Sequence, residues 1–438
     1  MTALTESASY ESDVDRRKRL RTVIASSLLG TTVEWYDFFL YATAAGLVFN
    51  RLFFPDQSSF VGTMLSFATF AVGFVVRPIG GLVFGYFGDR IGRKKTLALS
   101  MLIMGVATTL MGVLPTTADV GLLAPVLLLL LRIAQGFALG GEWAGAVLLA
   151  VEHSPARKRG LFGSIPQIGL ALGLALGTAM FAVLQVVFDD AQFLSYGWRI
   201  AFLFSLVLVI VGLVVRLKVE ETPAFREVSD LQQRSSAPIK DVFSRRHGRN
   251  TVLGLLSRWG EGAAFNTWGV FAITYATSQL KFDKVSVLLV VTVAAVVMAL
   301  LIPVSGLLVD RVGARRMYLV GIAAYGLAVF PVFALFDTGN LWLFGVGLVL
   351  VFGIVHATFY GAQGTLYAGL YPTEIRYTGL SVVYQFSGIY ASGVTPLVLT
   401  ALIAAAGGSP WLACGFLVGT SVISVIATAL IRKDDVYL

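Results

Sequence analysis

Charge is what this chain has least of. Of its 438 residues only 13% are Asp, Glu, Lys or Arg, about half of what a water-soluble domain carries. There is too little polar material to coat a globular surface. Histidine and cysteine are nearly absent as well, with three of the one and one of the other. The single cysteine, Cys414, rules out an intrachain disulfide, and so few soft ligands suggest no metal site and no catalytic His or Cys cluster. No Gly-x-x-x-x-Gly-Lys-Ser/Thr stretch occurs, so direct use of ATP has no sequence support. No short apolar core with a small-residue cleavage site follows the hydrophilic first 21 residues, so no removable leader is expected. Enzyme classes are therefore disfavoured, and no cofactor is expected.

What fills the chain instead is apolar sequence, 57% of residues, with a mean hydropathy of +0.80. About 20 apolar residues suffice to cross the hydrocarbon as a helix. Runs of that kind are read at 22–50, 59–87, 96–115, 120–151, 159–188, 197–218, 251–278, 285–309, 316–336, 340–370, 377–405 and 410–431. The runs are long and rich in Leu, Ala, Val and Gly, without the strict alternation of a membrane barrel, so helices are the form that satisfies the backbone in lipid. The expected fold is an all-α membrane protein of twelve transmembrane helices. The net charge of +8 is explained by placement: 26 of 33 Lys and Arg fall in the two tails and the alternate loops on their side. The positive-inside rule then places both termini in the cytoplasm of a cell with the chain in its plasma (inner) membrane. No nucleic-acid partner is implied.

One long polar connection separates the spans six and six. The expected organisation is a tail over 1–21, a six-helix bundle over 22–217, a cytoplasmic loop over 218–250, a second bundle over 251–431 and a tail over 432–438. The loop after the second span contains Gly85, Asp89, Arg90, Gly92 and Arg93; the loop after the eighth contains Gly306, Asp310, Arg311 and Gly313. Gly, Asp, Arg, Gly and two trailing basic residues coincide at an offset of 221, and Glu152 and Glu374 echo each other at 222. A duplication of six helices is the ground plan of a rocking alternating-access carrier, with the solute site between the halves.

These loops resemble the signature Gly-x-x-x-Asp-Arg-x-Gly-Arg-Lys of the major facilitator superfamily. Within it, the blocks Glu34-Trp-Tyr-Asp37-Phe-Phe-Leu-Tyr41, Val76-Arg77-Pro78-Ile-Gly80-Gly81, Arg132 to Trp143, Gly197-Trp198-Arg199-Ile and Tyr371 to Gly379 are similar to the metabolite:proton symporters, a family with permeases for shikimate, α-ketoglutarate, citrate, and proline or betaine. The resemblance implies the major facilitator fold and a gating role for the loop groups Asp89, Arg90 and Arg93, with the N-terminus of the eleventh helix, near Arg376 to Gly379, in reach of Asp89. Ala314 stands where the first loop has Arg93, so the two halves do not have equal gating chemistry.

Ionisable groups inside spans each cost about 2.5–3.5 kcal/mol on insertion scales and so mark function. In the first span Thr31, Glu34, Asp37 and Tyr41 share one helical face; in the fourth, Arg132, Gln135 and Glu142 form a stripe beside Trp143. A buried pair between Arg132 and the acids of the first span would be broken by protonation. By resemblance to the sugar-transporter branch, Asp37 and Arg132, with Glu34, are expected to couple the proton. Arg77 can snorkel to the interface or offer its fork to a carboxylate. Arg258 and Glu261, three apart in the seventh span, can neutralise each other or clamp solute. His356, Tyr360 and Gln363 align in the tenth span, Tyr384 and Gln385 lie in the eleventh, and Gln167 follows Pro166 in the fifth; all are candidate substrate contacts. The function expected is uptake of a small metabolite with protons, as a monomer: an organic monocarboxylate of shikimate-like or aromatic type, with a zwitterion such as proline or betaine, a dicarboxylate, or an uncoupled facilitator as alternatives.

Overall fold

The computed structural model describes residues 13–91, 93–152, 154–218, 238–432 and 437; side chains are described from residue 28, with those of 85–97, 149, 156 and 216–238 also outside the description. The helices are α1 (Asp13–Ala44, prolonged by a wider π turn, Ala45–Phe49), α2 (Ser59–Ile91), α3 (Arg93–Gly112), α4 (Leu123–Glu152, interrupted at Gly140), α5 (Arg159–Val187) and α6 (Trp198–Lys218). In the second half they are α7 (residues 248–278 in consecutive segments), α8 (Lys284–Val312), α9 (Ala314–Asp337), α10 (Leu341–Ala368), α11 (Thr373–Ala405) and α12 (Trp411–Leu430). Among the described residues nine helices are long and apolar enough to cross a membrane. The other three expected spans fall on α1, α3 and α7, and the fold is the two-domain all-helical one that the duplication implied.

The outer face agrees with a lipid solvent. Leu122, Leu327 and Val186 are 82%, 80% and 71% exposed, an arrangement that water would penalise and hydrocarbon does not. Trp342 is likewise open, close to the start of α10, where amphipathic rings suit the headgroup layer.

The repeat reaches into backbone detail. A π turn interrupts α1 at Ala45–Phe49 and α7 at Thr267–Phe271, again 222 residues apart. Between the halves, α5 lies along α8, and α2 packs on α11, the pseudo-symmetric pairs that such a repeat produces. Within the first half, α2 and α4 approach backbone to backbone at glycines. A Cβ on Gly136 would collide with the main chain of Gly73, and one on Gly80 or Gly140 with the carbonyls of Phe137 or Arg77. Small residues allow this approach in lipid, where packing replaces the hydrophobic effect. It fixes the height at which Arg77 and Arg132 leave their helices.

Candidate functional site

Trp35, Phe38 and Phe39 recur on one face of α1, and Phe74 and Arg77 on one face of α2. Helical spacing turns each set into a stripe, and the two stripes meet α7 and α11 at the centre of the molecule. The void there is lined by Trp35, Phe38, Phe74, Arg77, Arg258, Glu261 and further residues that include Phe39, Phe265, Asn266, Tyr384 and Ser392. It leaves about 10 Å³ for the centre of a water molecule, room for roughly one water. A solute larger than water fits only if the lining residues move apart.

Arg77 is 2% exposed, so it does not snorkel. Its guanidinium carbon lies 4.2 Å from the Phe74 ring centroid, 4.3 Å from Phe38 and 5.5 Å from Trp35. Its Nε and Nη2 have no hydrogen-bond partner, and among the described residues it forms no ion pair. Cation–π contacts of this kind are worth about 2 kcal/mol or more when desolvated, less than the desolvation of a bare cation. Arg77 is thus held in place but still short of an acceptor.

Arg258 faces the same void from α7. Its Nε is 3.3 Å from Glu261 Oε2, but neither atom has a hydrogen-bond partner, so charge and not an aligned hydrogen bond holds the pair. Arg258 also donates to Ser387 at 3.1 Å and lies 3.8 Å above the ring of Tyr384. The charges do not follow the repeat. At an offset of 222, Arg258 and Glu261 correspond to Tyr36 and Phe39, and Glu34 and Asp37 to Leu256 and Trp259. Each half supplies different chemistry from one frame.

The ion pair expected between Arg132 and Asp37 is not formed. Gln135, one turn along α4, comes between them: its Oε1 accepts from Arg132, and its Nε2 donates to the Asp37 main-chain oxygen and to Thr108 at 3.1 and 2.9 Å. The Asp37 carboxylate turns to the Ser205 hydroxyl on α6, leaving Oδ2 without a partner. Arg132 instead meets the Phe38, Tyr41 and Phe70 rings at 4.3, 4.3 and 4.9 Å. Neither Asp37 nor Arg132 lines the void; they lie behind its Phe38 wall. Glu34 and Glu142 are buried but also outside the lining, and Tyr41 donates to Thr69 within the first half.

Several other candidates seal the interface instead of lining the void. Trp143 donates to Gln167 at 2.9 Å, Gln167 to the Tyr360 carbonyl at 3.4 Å, and Gln385 to the Gly140 carbonyl at 2.5 Å. Tyr377 reaches the Gly141 carbonyl. His356 and Gln363 are fully buried, with no hydrogen bond to either ring nitrogen or to either amide atom. The His356 ring sits 5.6 Å from that of Phe265, one layer behind the void.

Beyond that seal, Asp310 of the second repeated loop accepts from the amides of Gly160 and Leu161 at 2.6 and 3.1 Å. It caps α5 of the other half, where free amides and the helix dipole favour an anion. Arg376 donates to Glu152 at 3.0 Å, whereas Arg311 and Glu374 are exposed. The side chains of Gly85, Asp89, Arg90, Gly92 and Arg93 lie outside the described residues. At the opposite end Lys284 meets Asp190 at 2.7 Å, Arg51 flanks it at 3.8 Å, and Thr178 bonds Thr292. Among the described residues, the two halves therefore touch at both ends of the interface.

The aromatic lining, Ser205 and the Asp190–Lys284 contact were not singled out from sequence. The lining had a signal, the Trp35, Phe38, Phe39 stripe opposite Asp37; the long-range partners had none.

Residues 22–251 match the family described as "Sugar (and other) transporter", and residues 254–437 match "Major Facilitator Superfamily". The inner membrane metabolite transport protein YhjE of Escherichia coli K12 is 38% identical over 441 residues, covering 99% of this chain and all of that protein. The shikimate transporter of the same organism is 37% identical, with 95% of each chain covered. The proline/betaine transporter of Salmonella typhimurium is 35% identical over 88% of this chain and 78% of its own length. A proton:xylose symporter structure superposes with a TM-score of 0.75 at 16% identity, covering 94% of this chain and 95% of that one, a likeness of fold.

Proposed function

The chain belongs to the major facilitator superfamily of membrane transporters, and from that premise we propose that it is a proton-coupled symporter importing a small organic monocarboxylate. It acts as a monomer in the plasma (inner) membrane, both termini cytoplasmic, by alternating access between its two halves. The observation that carries this reading is Arg77, buried in the void with no anionic partner among the described residues. The void presents two guanidiniums against one carboxylate, so one monoanion completes the charge, and a guanidinium fork suits a carboxylate.

The aromatic lining does not favour the quaternary ammonium group of a betaine-like zwitterion. Quaternary ammonium groups need open ring faces, and here Arg77 already covers Trp35, Phe38 and Phe74. Tyr384 is covered by Arg258 and Trp143. The name of the relative that covers 95% of the chain supplies the probe, shikimate, a cyclic monocarboxylate. Proton coupling is supported by Glu261, a carboxyl group buried in the void in a hydrocarbon setting where acids mark proton relays. The repeated-loop end, with Asp310 and by resemblance Asp89, serves as the cytoplasmic gate.

The test is uptake of radiolabelled shikimate into proteoliposomes under an imposed proton gradient. Accumulation above the external concentration, collapsed by an uncoupler and not competed by betaine, is expected. Equilibration without accumulation removes the coupling; betaine uptake without shikimate uptake removes the monocarboxylate.

A further inference from the structure

We propose that Glu261 is the carboxyl group that binds the coupled proton, and that it does so by competing with the substrate carboxylate for Arg258. This rests on the symporter reading above and sharpens it, because the void contains one acid and the acids of α1 are elsewhere. Glu261 lines the void; Asp37 and Glu34 do not. Glu261 already engages a guanidinium that an incoming carboxylate needs, at 3.3 Å. Asp37 engages a serine hydroxyl and leaves Arg132 to Gln135 and three rings.

The groups that face Glu261 are Arg258 on its own helix, Arg77 on α2, Tyr318 on α9, Tyr360 and Tyr367 on α10, and Tyr384 on α11. Two of these are fixed cations. The tyrosines Tyr318 and Tyr367 bond each other and Ser257, so they are not the acceptors that the cations lack.

Four loading states follow. Empty, Glu261 carboxylate neutralises Arg258. With substrate but no proton, Glu261 still holds Arg258 at 3.3 Å, so the substrate carboxylate has only Arg77 to bind and not both guanidiniums. With proton but no substrate, Arg77 and Arg258 are both left without an anion, which is costly in a medium that cannot solvate them. With both, the substrate carboxylate is shared by Arg77 and by Arg258, which protonated Glu261 has released. The proton-only state is disfavoured by two unpaired guanidiniums, and the substrate is held by both forks only once Glu261 is protonated; that linkage is the coupling. One proton enters with one monoanion, the proton on a Glu261 oxygen, so the cargo is neutral and so is the transport cycle.

The experiment uses the full chain in proteoliposomes with radiolabelled shikimate. In the wild type, accumulation follows an imposed pH gradient and is unchanged by a potassium–valinomycin potential. Glu261→Gln loses pH-driven accumulation at least tenfold, while counterflow exchange of shikimate persists at altered affinity and reports a folded carrier. Asp37→Asn still accumulates with the pH gradient. Glu261→Gln accumulating like the wild type, or wild-type uptake driven by potential alone, overturns the assignment and leaves the symporter reading standing. Wild-type protein that accumulates no shikimate overturns the reading beneath it. If Glu261→Gln loses counterflow too, Glu261→Asp decides: restored pH-driven accumulation supports the proposal, and counterflow without accumulation overturns it.

Discussion

Trp143 of the first half stacks on Tyr384 of the second, centroids 3.6 Å apart and planes within 13°. Because the Arg258 guanidinium lies 3.8 Å from the same Tyr384 centroid, and two groups cannot share one face at such distances, Tyr384 is filled on both sides. The ring joins the seal to the charge pair: opening the seal removes the wall behind Arg258. Tyr384→Phe keeps the stack and should leave the uptake rate within about threefold. Tyr384→Leu loses a desolvated cation–π contact worth about 2 kcal/mol and should raise the shikimate KM by about 30-fold. Equal effects of the two substitutions on KM would refute a role for the ring face.

Arg77 should behave as a substrate anchor. Truncating one partner of a buried charged contact costs about 2–5 kcal/mol, so Arg77→Gln should weaken shikimate binding by about 30-fold or more, read by competition or thermal shift. Arg77→Lys should rescue little, since an ammonium lacks the planar fork and the stacking on Phe74 and Phe38. Full rescue by lysine would sink the bidentate reading.

The Asp310 cap and the Asp190–Lys284 contact close opposite ends with unequal strength. Losing a helix cap costs about 1 kcal/mol, and here it also unlocks α5 from the other half. Asp310→Ala should lower the maximal uptake rate about fivefold with binding affinity nearly kept. An unchanged rate removes Asp310 from the gate.

Asp190 is 64% exposed at its side chain, and exposed pairs contribute about 0.2–1 kcal/mol and are screened by salt. Lys284→Met should change the uptake rate less than about fivefold, and the difference from wild type should shrink as salt is raised. A larger effect that persists in high salt contradicts this assignment.

The glycine contact of α2 and α4 should be a stability determinant. Gly136→Leu places a branched side chain against the Gly73 main chain, and overpacking costs about 1–3 kcal/mol or more. The purified variant should melt several degrees lower in detergent, or fail to accumulate in the membrane. Wild-type melting would contradict the close approach.

Much of this molecule was legible before any coordinates. Long apolar runs gave the helices because lipid leaves the backbone no other partner. The Asp89 and Asp310 loops gave the duplication, since a fixed offset survives in one dimension. That Arg77, Arg258 and Glu261 are charges set inside spans, where charge is costly, was legible from the sequence. Their grouping was not. The expected Arg132–Asp37 pair failed because helical spacing says which residues share a face and not what the facing helix inserts between them; Gln135 was read as a neighbour and turned out to be the spacer.

The sequence by itself determined the solvent, the helix count and the two-fold plan, because hydrophobic length and internal repeat are properties of a line of residues. Only tertiary structure decided which charges share a void. Arg77 on α2 and the Arg258–Glu261 pair on α7 are about 180 residues apart, and they face one another because α2 closes on α11 across the interface. Asp37, three residues from Glu34 in the same span, is turned away by Ser205 of α6. Side-chain direction at a helix contact is set by the partner helix, and no single span encodes its partner.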